Sequence, residues 1–164
     1  MVKCNKVKAL AMCGVMVLML AACDKAPVKP DAPAPVRILA KGLHSGVKRQ
    51  EYYDLHKASD FAVWWHRAYA TRSYKPTLPD VDFSKDMVIA VFMGEKTHGG
   101  YSIAVTNVQV AADNYDVEIT VTVPGPGCRT TQALTQPFEF VAVPDSDGKF
   151  VNWKVRQHLL TCQH

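Results

Sequence analysis

The sequence predicts a single domain of the α+β to mainly-β class, with about six or seven mostly antiparallel strands and one helix packed on the sheet. Three observations lead to this fold class. The stretch from Asn114 to Val123 alternates between polar and apolar residues with a period of two, as a half-buried strand does. The stretch from Asp86 to Gly94 is almost entirely apolar, which predicts a central strand covered on both faces. One further stretch, residues 59–72, carries its large apolar residues at helical spacing.

Two short strands are expected before the helix, from Val36 to Gly42 and from Gln50 to His56. The helix is expected to begin at Ser59 or Asp60, because both residue types are good N-caps. Pro76 prevents it from continuing far beyond its apolar stripe. That stripe should face the sheet, and it consists of Phe61, Trp64, Trp65, Ala68 and Tyr69.

Three more strands are expected around the alternating one. The first runs from Tyr101 to Ala111, and its alternation slips near Asn107, which predicts a β-bulge. The others run from Phe138 to Val143 and from Phe150 to Arg156, separated by a turn in "PDSDGK".

The N-terminus has the pattern of a secretory signal. Three lysines and no acidic residue precede "ALAMCGVMVLML", an apolar stretch of 12 residues. That length is too short for a helix that spans a bilayer, which needs about 20 residues. The following "LAAC" resembles the bacterial lipobox, which implies removal of residues 1–22 and thioether lipidation, with palmitate, of Cys23. An ordinary secretory signal with a cysteine nearby is the alternative.

Residues 24–36, "DKAPVKPDAPAPV", are rich in proline and poor in large apolar side chains. Such a segment favours extended, solvated backbone, so we expect a tether between Cys23 and a globular domain at 37–164. Asp24 resembles the inner-membrane retention signal of lipoproteins in enteric bacteria. We therefore expect a lipid-anchored protein facing the periplasm from the inner membrane, with the outer membrane as the alternative.

The charge of the chain excludes one class of partner. Three of its 19 basic residues lie in the signal, which leaves 16 basic against 15 acidic residues. A nearly neutral domain offers no basic surface for nucleic acid, so no nucleic-acid partner is expected.

Two cysteines, Cys128 and Cys162, follow Cys23. An even number in an oxidising compartment favours a disulfide, and closing so long a loop would contribute about 3 kcal/mol. Two unpaired thiols are the alternative. No CxxC or HxxxH spacing occurs, so no metal site is expected.

Motifs of the common enzyme classes are missing from the sequence. It contains no GxSxG, no Walker loop, no HExxH and no dinucleotide glycine fingerprint, and its six histidines share no ligand spacing. We therefore expect no enzymatic activity and no cofactor.

Two loop motifs stand out between the predicted strands. In "GEKTHGGYSI", Gly99 and Gly100 permit positive φ or close backbone approach just before a strand. The second motif is "PGPGCRTTQALTQPFEFVAVP", from Pro124 to Pro144. Loops held on rigid strands commonly carry recognition residues, so both are candidate binding loops.

The first motif, extended to "GEKTHGGYSIAVTNV", resembles the GxKxxGGYSI-type signature of the PrcB family, a protease complex subunit domain found in bacterial lipoproteins. The second motif is similar to the family's Pro-Gly, Cys and TQALT-P pattern. The matching residues are Lys96, Gly99, Gly100, Tyr101 and Ser102 in the first motif, and Thr131, Gln132, Ala133, Leu134, Thr135 and Pro137 in the second.

This resemblance implies a non-enzymatic, membrane-anchored envelope subunit that binds a protein partner, such as a protease complex. The candidate partner-binding residues are Glu95, Lys96, Thr97, His98, Gly99, Gly100 and Tyr101, with Arg129, Thr130, Thr131 and Gln132.

Two alternatives stay open. The loops are similar to those of chagasin-type cysteine-protease inhibitors, although Gln136-Pro137-Phe138 stands in place of their Arg-Pro-Trp. In the other alternative the loops only shape turns, with "TQALTQP" hydrogen-bonded to an open sheet edge in a purely structural lipoprotein.

Overall fold

The computed structural model describes residues 32–145 and 149–162. The predicted signal, Cys23, most of the tether and the centre of the "PDSDGK" turn lie outside the described residues. The described elements are β1 (Ala32–Pro33), β2 (Arg37–Gly42), β3 (Gln50–Leu55), α1 (Ala58–Ala68), β4 (Asp86–Met93), β5 (Ser102–Val110), β6 (Asn114–Pro124), β7 (Phe138–Pro144) and β8 (Phe150–Leu160).

The strands form two four-stranded sheets, in the orders β1-β5-β6-β8 and β2-β7-β4-β3. Neighbouring strands are antiparallel except β6 and β8, which are parallel. The predicted class, a mostly antiparallel and mainly-β domain with one helix, is confirmed. The division into two sheets was not predicted, because an alternating pattern shows that one face is buried but not what covers it.

Strand β4 lies in the middle layer of the domain, as its apolar run predicted. Val88, Ala90 and Phe92 pack on the side of α1, and Ile89 and Val91 pack on the side of the other sheet. The order of layers is therefore helix, sheet β2-β7-β4-β3, then sheet β1-β5-β6-β8.

The predicted N-cap of the helix is wrong. The N-cap is Lys57, in extended conformation and without a side-chain capping hydrogen bond, so Ser59 and Asp60 lie inside the first turn. The backbone N–H of Phe61 donates to the Lys57 carbonyl (N···O 3.1 Å), which starts the helix earlier than a cap at Ser59 would allow.

The predicted apolar stripe of the helix is confirmed. Phe61, Trp65, Ala68 and Tyr69 are buried. Trp64 is half-buried and stacks on Tyr53 of β3, with ring centroids 3.9 Å apart.

The predicted bulge in β5 is also confirmed, because the register with β6 shifts between Val105 and Asn107. At this point the backbone N–H of Val105 donates to the carboxylate of Glu139 on β7 (N···O 2.7 Å). Glu139 is only 2 % exposed, so this hydrogen bond links the two sheets inside the domain. Strand β1 pairs with β5 only at Val110 and Gln109, at the end of β5 far from the "GEKTHGG" loop.

Cys128 and Cys162 form a disulfide, as predicted, with their Cα atoms 5.2 Å apart. Strand β8 is longer than predicted and continues to Leu160, where its carbonyl accepts a hydrogen bond from the N–H of Gly125 (N···O 3.0 Å). Across residues 32–145 and 149–162, no helix combines the length and the apolar character that crossing a membrane requires.

Candidate functional site

The two predicted motif loops meet in space. The N–H of Lys96 donates to the carbonyl of Thr135 (N···O 2.8 Å), and the N–H of Thr135 donates to the carbonyl of Lys96 (3.0 Å). Residues 95–101 and 128–137 therefore form one continuous surface at one end of the domain, called here the motif-loop surface. All eleven candidate partner-binding residues lie on this surface.

The glycine pair allows the two loops to approach closely. The N–H of Gly99 donates to the carbonyl of Thr131 (N···O 2.9 Å), and a Cβ at Gly99 would overlap Thr131 Oγ1. Gly100 has a φ of +88°, a conformation that side chains rarely adopt. Both glycines therefore have a structural reason to be there.

A half-buried cluster of polar and aromatic side chains supports the first loop. His98 Nδ1 lies 3.0 Å from the Gly99 carbonyl, and His98 Nε2 lies 3.4 Å from the Tyr101 hydroxyl. Because a carbonyl oxygen only accepts, the neutral ring carries its proton on Nδ1, and Nε2 accepts from Tyr101. Lys96 Nζ lies 5.8 Å from the centroid of the Tyr101 ring. The cluster fixes one cation and one aromatic ring at the surface.

The second loop presents mostly exposed side chains. Arg129, Thr131, Gln132 and Leu134 are exposed, and Leu134 retains 55 % of its accessible area. Thr135 is buried, and its hydroxyl donates to the carbonyl of His98 (O···O 3.0 Å).

The remaining predicted residues lie at the margins of the surface. Glu95 is exposed, and its carboxylate accepts a hydrogen bond from Gln136 Nε2 (2.9 Å). Thr97 is exposed, and Thr130 is half-buried against Gly100.

A third segment, residues 43–48, joins this region and was missed in the sequence. Gln136 donates its N–H to the Leu43 carbonyl (2.7 Å), and the N–H of Ser45 donates to the Gln136 carbonyl (3.1 Å). Glu95 donates its N–H to the carbonyl of Lys48 (3.0 Å). The segment "LHSGVK" has no period or motif, so only its Ser-Gly turn residues could have drawn notice.

The backbone contacts of the second loop agree with part of the structural alternative. The carbonyl of Pro137 accepts from the N–H of Met93 (2.9 Å), and Thr135 and Gln136 pair as described. The "TQP" part of the motif, residues 135–137, thus extends the pairing of β4 and β7, while residues 129–134 do not share these contacts.

The described residues include no group of three or more His, Cys, Asp or Glu side chains that could hold a metal ion. Among the histidines of the described residues, His56 has the closest acidic contacts, and it lies away from the motif-loop surface. Its Nδ1 is 2.7 Å from Asp145 Oδ2, and its Nε2 is 3.3 Å from Asp54 Oδ2. Partial burial opposes the charged ring, but the hydrogen bonds to the two carboxylates outweigh it and raise the pKa of His56.

Comparison with known proteins gives one match. The family model described as PrcB C-terminal matches residues 87–144, about a third of the chain. The matched stretch runs from β4 to the end of β7 and contains both motif loops. No curated protein and no solved structure matches the chain. The resemblance to the PrcB family that the two motifs predicted is therefore confirmed, and residues 87–144 are similar to the PrcB C-terminal family.

Proposed function

We propose that this chain is a non-enzymatic, lipid-anchored protein of the bacterial envelope whose motif-loop surface binds a protein partner, a protease or another component of a protease complex. The observation that carries this proposal is the pairing of Lys96 with Thr135. It brings the two motifs of the PrcB C-terminal family, which are separated by β5 and β6, onto one surface.

Some motif residues are explained by the fold, and others are not. Gly99, Gly100 and Thr135 close the loops against each other. The exposed side chains of Arg129 and Leu134 make no such closing contact, and they provide a charge and an apolar surface on the same loop, five residues apart. Arginine and tyrosine are among the residue types that most often dominate the binding energy of an interface. This favours Arg129 and Tyr101 as the residues at the centre of the proposed interface.

The position of β1 supports this arrangement. The chain enters the domain beside Val110 at the end of β5, whereas Tyr101 precedes the start of β5. At about 3.3 Å per residue, a strand of this length separates the two ends by roughly 27 Å. A domain held through Cys23 would therefore direct the motif-loop surface away from the membrane and toward a partner in the periplasm.

The test is cross-linking in intact cells followed by quantitative mass spectrometry of the tagged protein. Leu134→Asp places a charge on an exposed apolar residue of the motif-loop surface. Val63→Asp places the same charge on an apolar residue of α1 that is similarly exposed, 49 % against 55 %. We expect the wild type and the Val63 variant to recover a protease or its complex, and the Leu134 variant to lose it. Equal recovery by all three proteins would contradict the proposal.

A protease inhibitor of the chagasin type is the second candidate. The observation in its favour is that three segments, residues 43–48, 94–101 and 128–137, converge at one end of a β-sandwich. A panel of purified cysteine and serine proteases decides between the candidates, because an inhibitor blocks substrate cleavage in proportion to its dose. A subunit that only assembles a complex leaves the isolated proteases unaffected.

A further inference from the structure

Strand β8 forms a long edge of the first sheet, on a face of the molecule that the proposed function does not use. It pairs with β6 along its whole length, from Asn114↔Phe150 to Pro124↔Leu160. Among the described strands, none lies beyond it. Eleven residues at about 3.3 Å each make an edge of roughly 35 Å.

The hydrogen bond of Leu160 shows which backbone groups of β8 point outward. Its carbonyl accepts from the N–H of Gly125, so Leu160 directs its backbone groups toward β6. In a parallel ladder, successive residues direct these groups to opposite sides. The N–H and C=O groups that point to the open edge are therefore those of the odd-numbered residues, Val151, Trp153, Val155, Gln157 and Leu159. Such a row is a template for an added strand.

The two faces of β8 differ in chemistry. Val151 and Trp153 pack between the sheets, and Val155 and Leu159 continue the same row with 48 % and 53 % of their areas exposed. The opposite face carries a basic row, Lys154, Arg156 and His158. An added strand would thus extend an apolar row on one face and lie beside a basic row on the other.

The basic row argues against a second copy of this chain as the occupant. An antiparallel pairing of two β8 strands that keeps the apolar rows together sets even-numbered residues opposite even-numbered residues. In registers centred on this row, Lys154 and Arg156 of the two copies would then face one another, and like charges in directly opposed positions destabilise a sheet.

The same row favours an acidic occupant. Lys154 Nζ lies 2.8 Å from Asp116 Oδ2, and Arg156 Nη2 lies 3.0 Å from Glu118 Oε1, both on β6. A strand added outside β8 would be about 4.8 Å from the basic row and about twice that distance from the acidic one. The nearest charges for its outward side chains are therefore positive, and Lys154 and Arg156 keep 45 % and 71 % of their side-chain areas exposed.

We propose that the open edge of β8 accepts an extended segment of a partner protein in which acidic and apolar residues alternate. The N-terminal part of this chain does not supply that segment at its point of entry, because β1 lies at the opposite edge of the same sheet. The edge also lies outside the residues that match the PrcB C-terminal family.

The experiment uses the full-length protein and two blocked peptides of about nine residues, one alternating Glu and Val and the other alternating Lys and Val. Titration calorimetry measures their affinities at low and high salt. We expect the Glu-Val peptide to bind roughly tenfold more tightly than the Lys-Val peptide, and to weaken as salt rises. Residue-resolved amide exchange should show new protection at the odd-numbered positions of β8.

The matched variants are Gln157→Pro and Gln157→Thr. Proline removes an N–H that faces the open edge and leaves the ladder with β6 intact. The affinity of this variant for the Glu-Val peptide should therefore fall at least roughly tenfold. Threonine keeps the N–H and should bind as the wild type does. Lys154→Gln/Arg156→Gln, a second variant that keeps every backbone group, should lose both the preference for the acidic peptide and the dependence on salt.

Three results would overturn the proposal. They are no binding of the Glu-Val peptide at millimolar concentration, equal binding of the two peptides, or binding that Gln157→Pro leaves unchanged. A dimer in light scattering that Gln157→Pro dissociates would show that a second copy occupies the edge instead.

Discussion

The carboxylate of Glu139 reaches from one sheet to the other and accepts a hydrogen bond from the backbone N–H of Val105, 2.7 Å away. The N–H of Val105 sits at the bulge of β5, beyond the two residues of β5 that pair with β1. A side chain from the facing sheet thus takes the place of a neighbouring strand at this point.

Glu139→Leu should destabilise the domain by about 1–3 kcal/mol, because the buried N–H of Val105 would lose its acceptor. Glu139→Gln keeps an acceptor oxygen, so its loss of stability should be smaller. Chemical unfolding by urea, followed by fluorescence of the tryptophans, measures both changes. Equal stability of the Leu and Gln variants would show that the hydrogen bond contributes nothing.

The same residue predicts a dependence of stability on pH. Burial raises the pKa of Glu139, against the opposing effects of the Val105 N–H and Lys41. For a carboxyl group whose pKa is higher in the folded state, the folded state loses stability as pH rises above the ordinary value of about 4.5. The wild type should therefore lose stability relative to Glu139→Gln between pH 4 and pH 7, measured by urea unfolding at both pH values.

His56 predicts a pH dependence of the same sign at higher pH, because the pKa of its ring is also raised in the folded state. The stabilisation that the charged His56 ring provides is therefore fully present below the ordinary pKa of 6.5. It is lost as pH rises through the raised pKa of the folded state. His56→Gln should destabilise the domain by about 0.5–1 kcal/mol at acidic pH, the size of an exposed ion pair, and by less at alkaline pH. Thermal unfolding across this range measures the difference, and a constant difference would exclude the ion pairs with Asp54 and Asp145.

Gly99→Ala should destabilise the domain by about 1–3 kcal/mol, because the new Cβ would overlap Thr131 Oγ1. Thr131→Ala removes that oxygen, and the Cβ at position 99 would then be 3.6 Å from the Cβ of residue 131, an ordinary contact. The double variant should thus recover most of the lost stability. Gly94→Ala is the control. Gly94 has a φ of +75° and its nearest neighbours are backbone atoms, so no substitution of a neighbouring side chain should restore the lost stability.

Cys23→Ser tests the anchor. We expect cells fed labelled palmitate to label the wild type and not the variant, and the wild type to fractionate with the inner membrane. The matched control, Cys128→Ser/Cys162→Ser, should keep the label, lose the disulfide and become less stable by about 3 kcal/mol. Label that persists in Cys23→Ser would exclude lipidation at this cysteine.

The parts of the fold that were predictable are those set by local periodicity. The slip of alternation near Asn107 indicated the bulge, and the apolar run of β4 indicated a strand buried on both faces. Both signals depend only on residues within one strand. The two motif loops were also recognisable in the sequence, because their charged residues and paired glycines interrupt these periods. The role of their side chains in binding a partner stays a prediction.

The features that escaped prediction depend on contacts between distant segments. The split into two sheets depends on which faces meet, and β8 reaches Leu160 because its parallel partner and the disulfide hold it there. The segment 43–48 joins the motif-loop surface through backbone groups, which every residue type possesses. Lys57 is the N-cap without a capping side chain, so no residue preference marks the start of the helix.

The two-residue strand β1 has a mechanical consequence for a tethered protein. Tension applied from the N-terminal side acts first on Ala32 and Pro33 and on the hydrogen bond from the Ala34 N–H to the Val108 carbonyl (2.7 Å). Releasing these bonds, together with the packing of Ala34 and Val36 against the core between the sheets, would free residues 32–36 before any strand of the second sheet is loaded. The extended segment before the domain would then be longer by about 17 Å. If Cys23 carries the proposed lipid anchor, the domain would therefore have two possible distances from the membrane, and both would leave the two sheets folded.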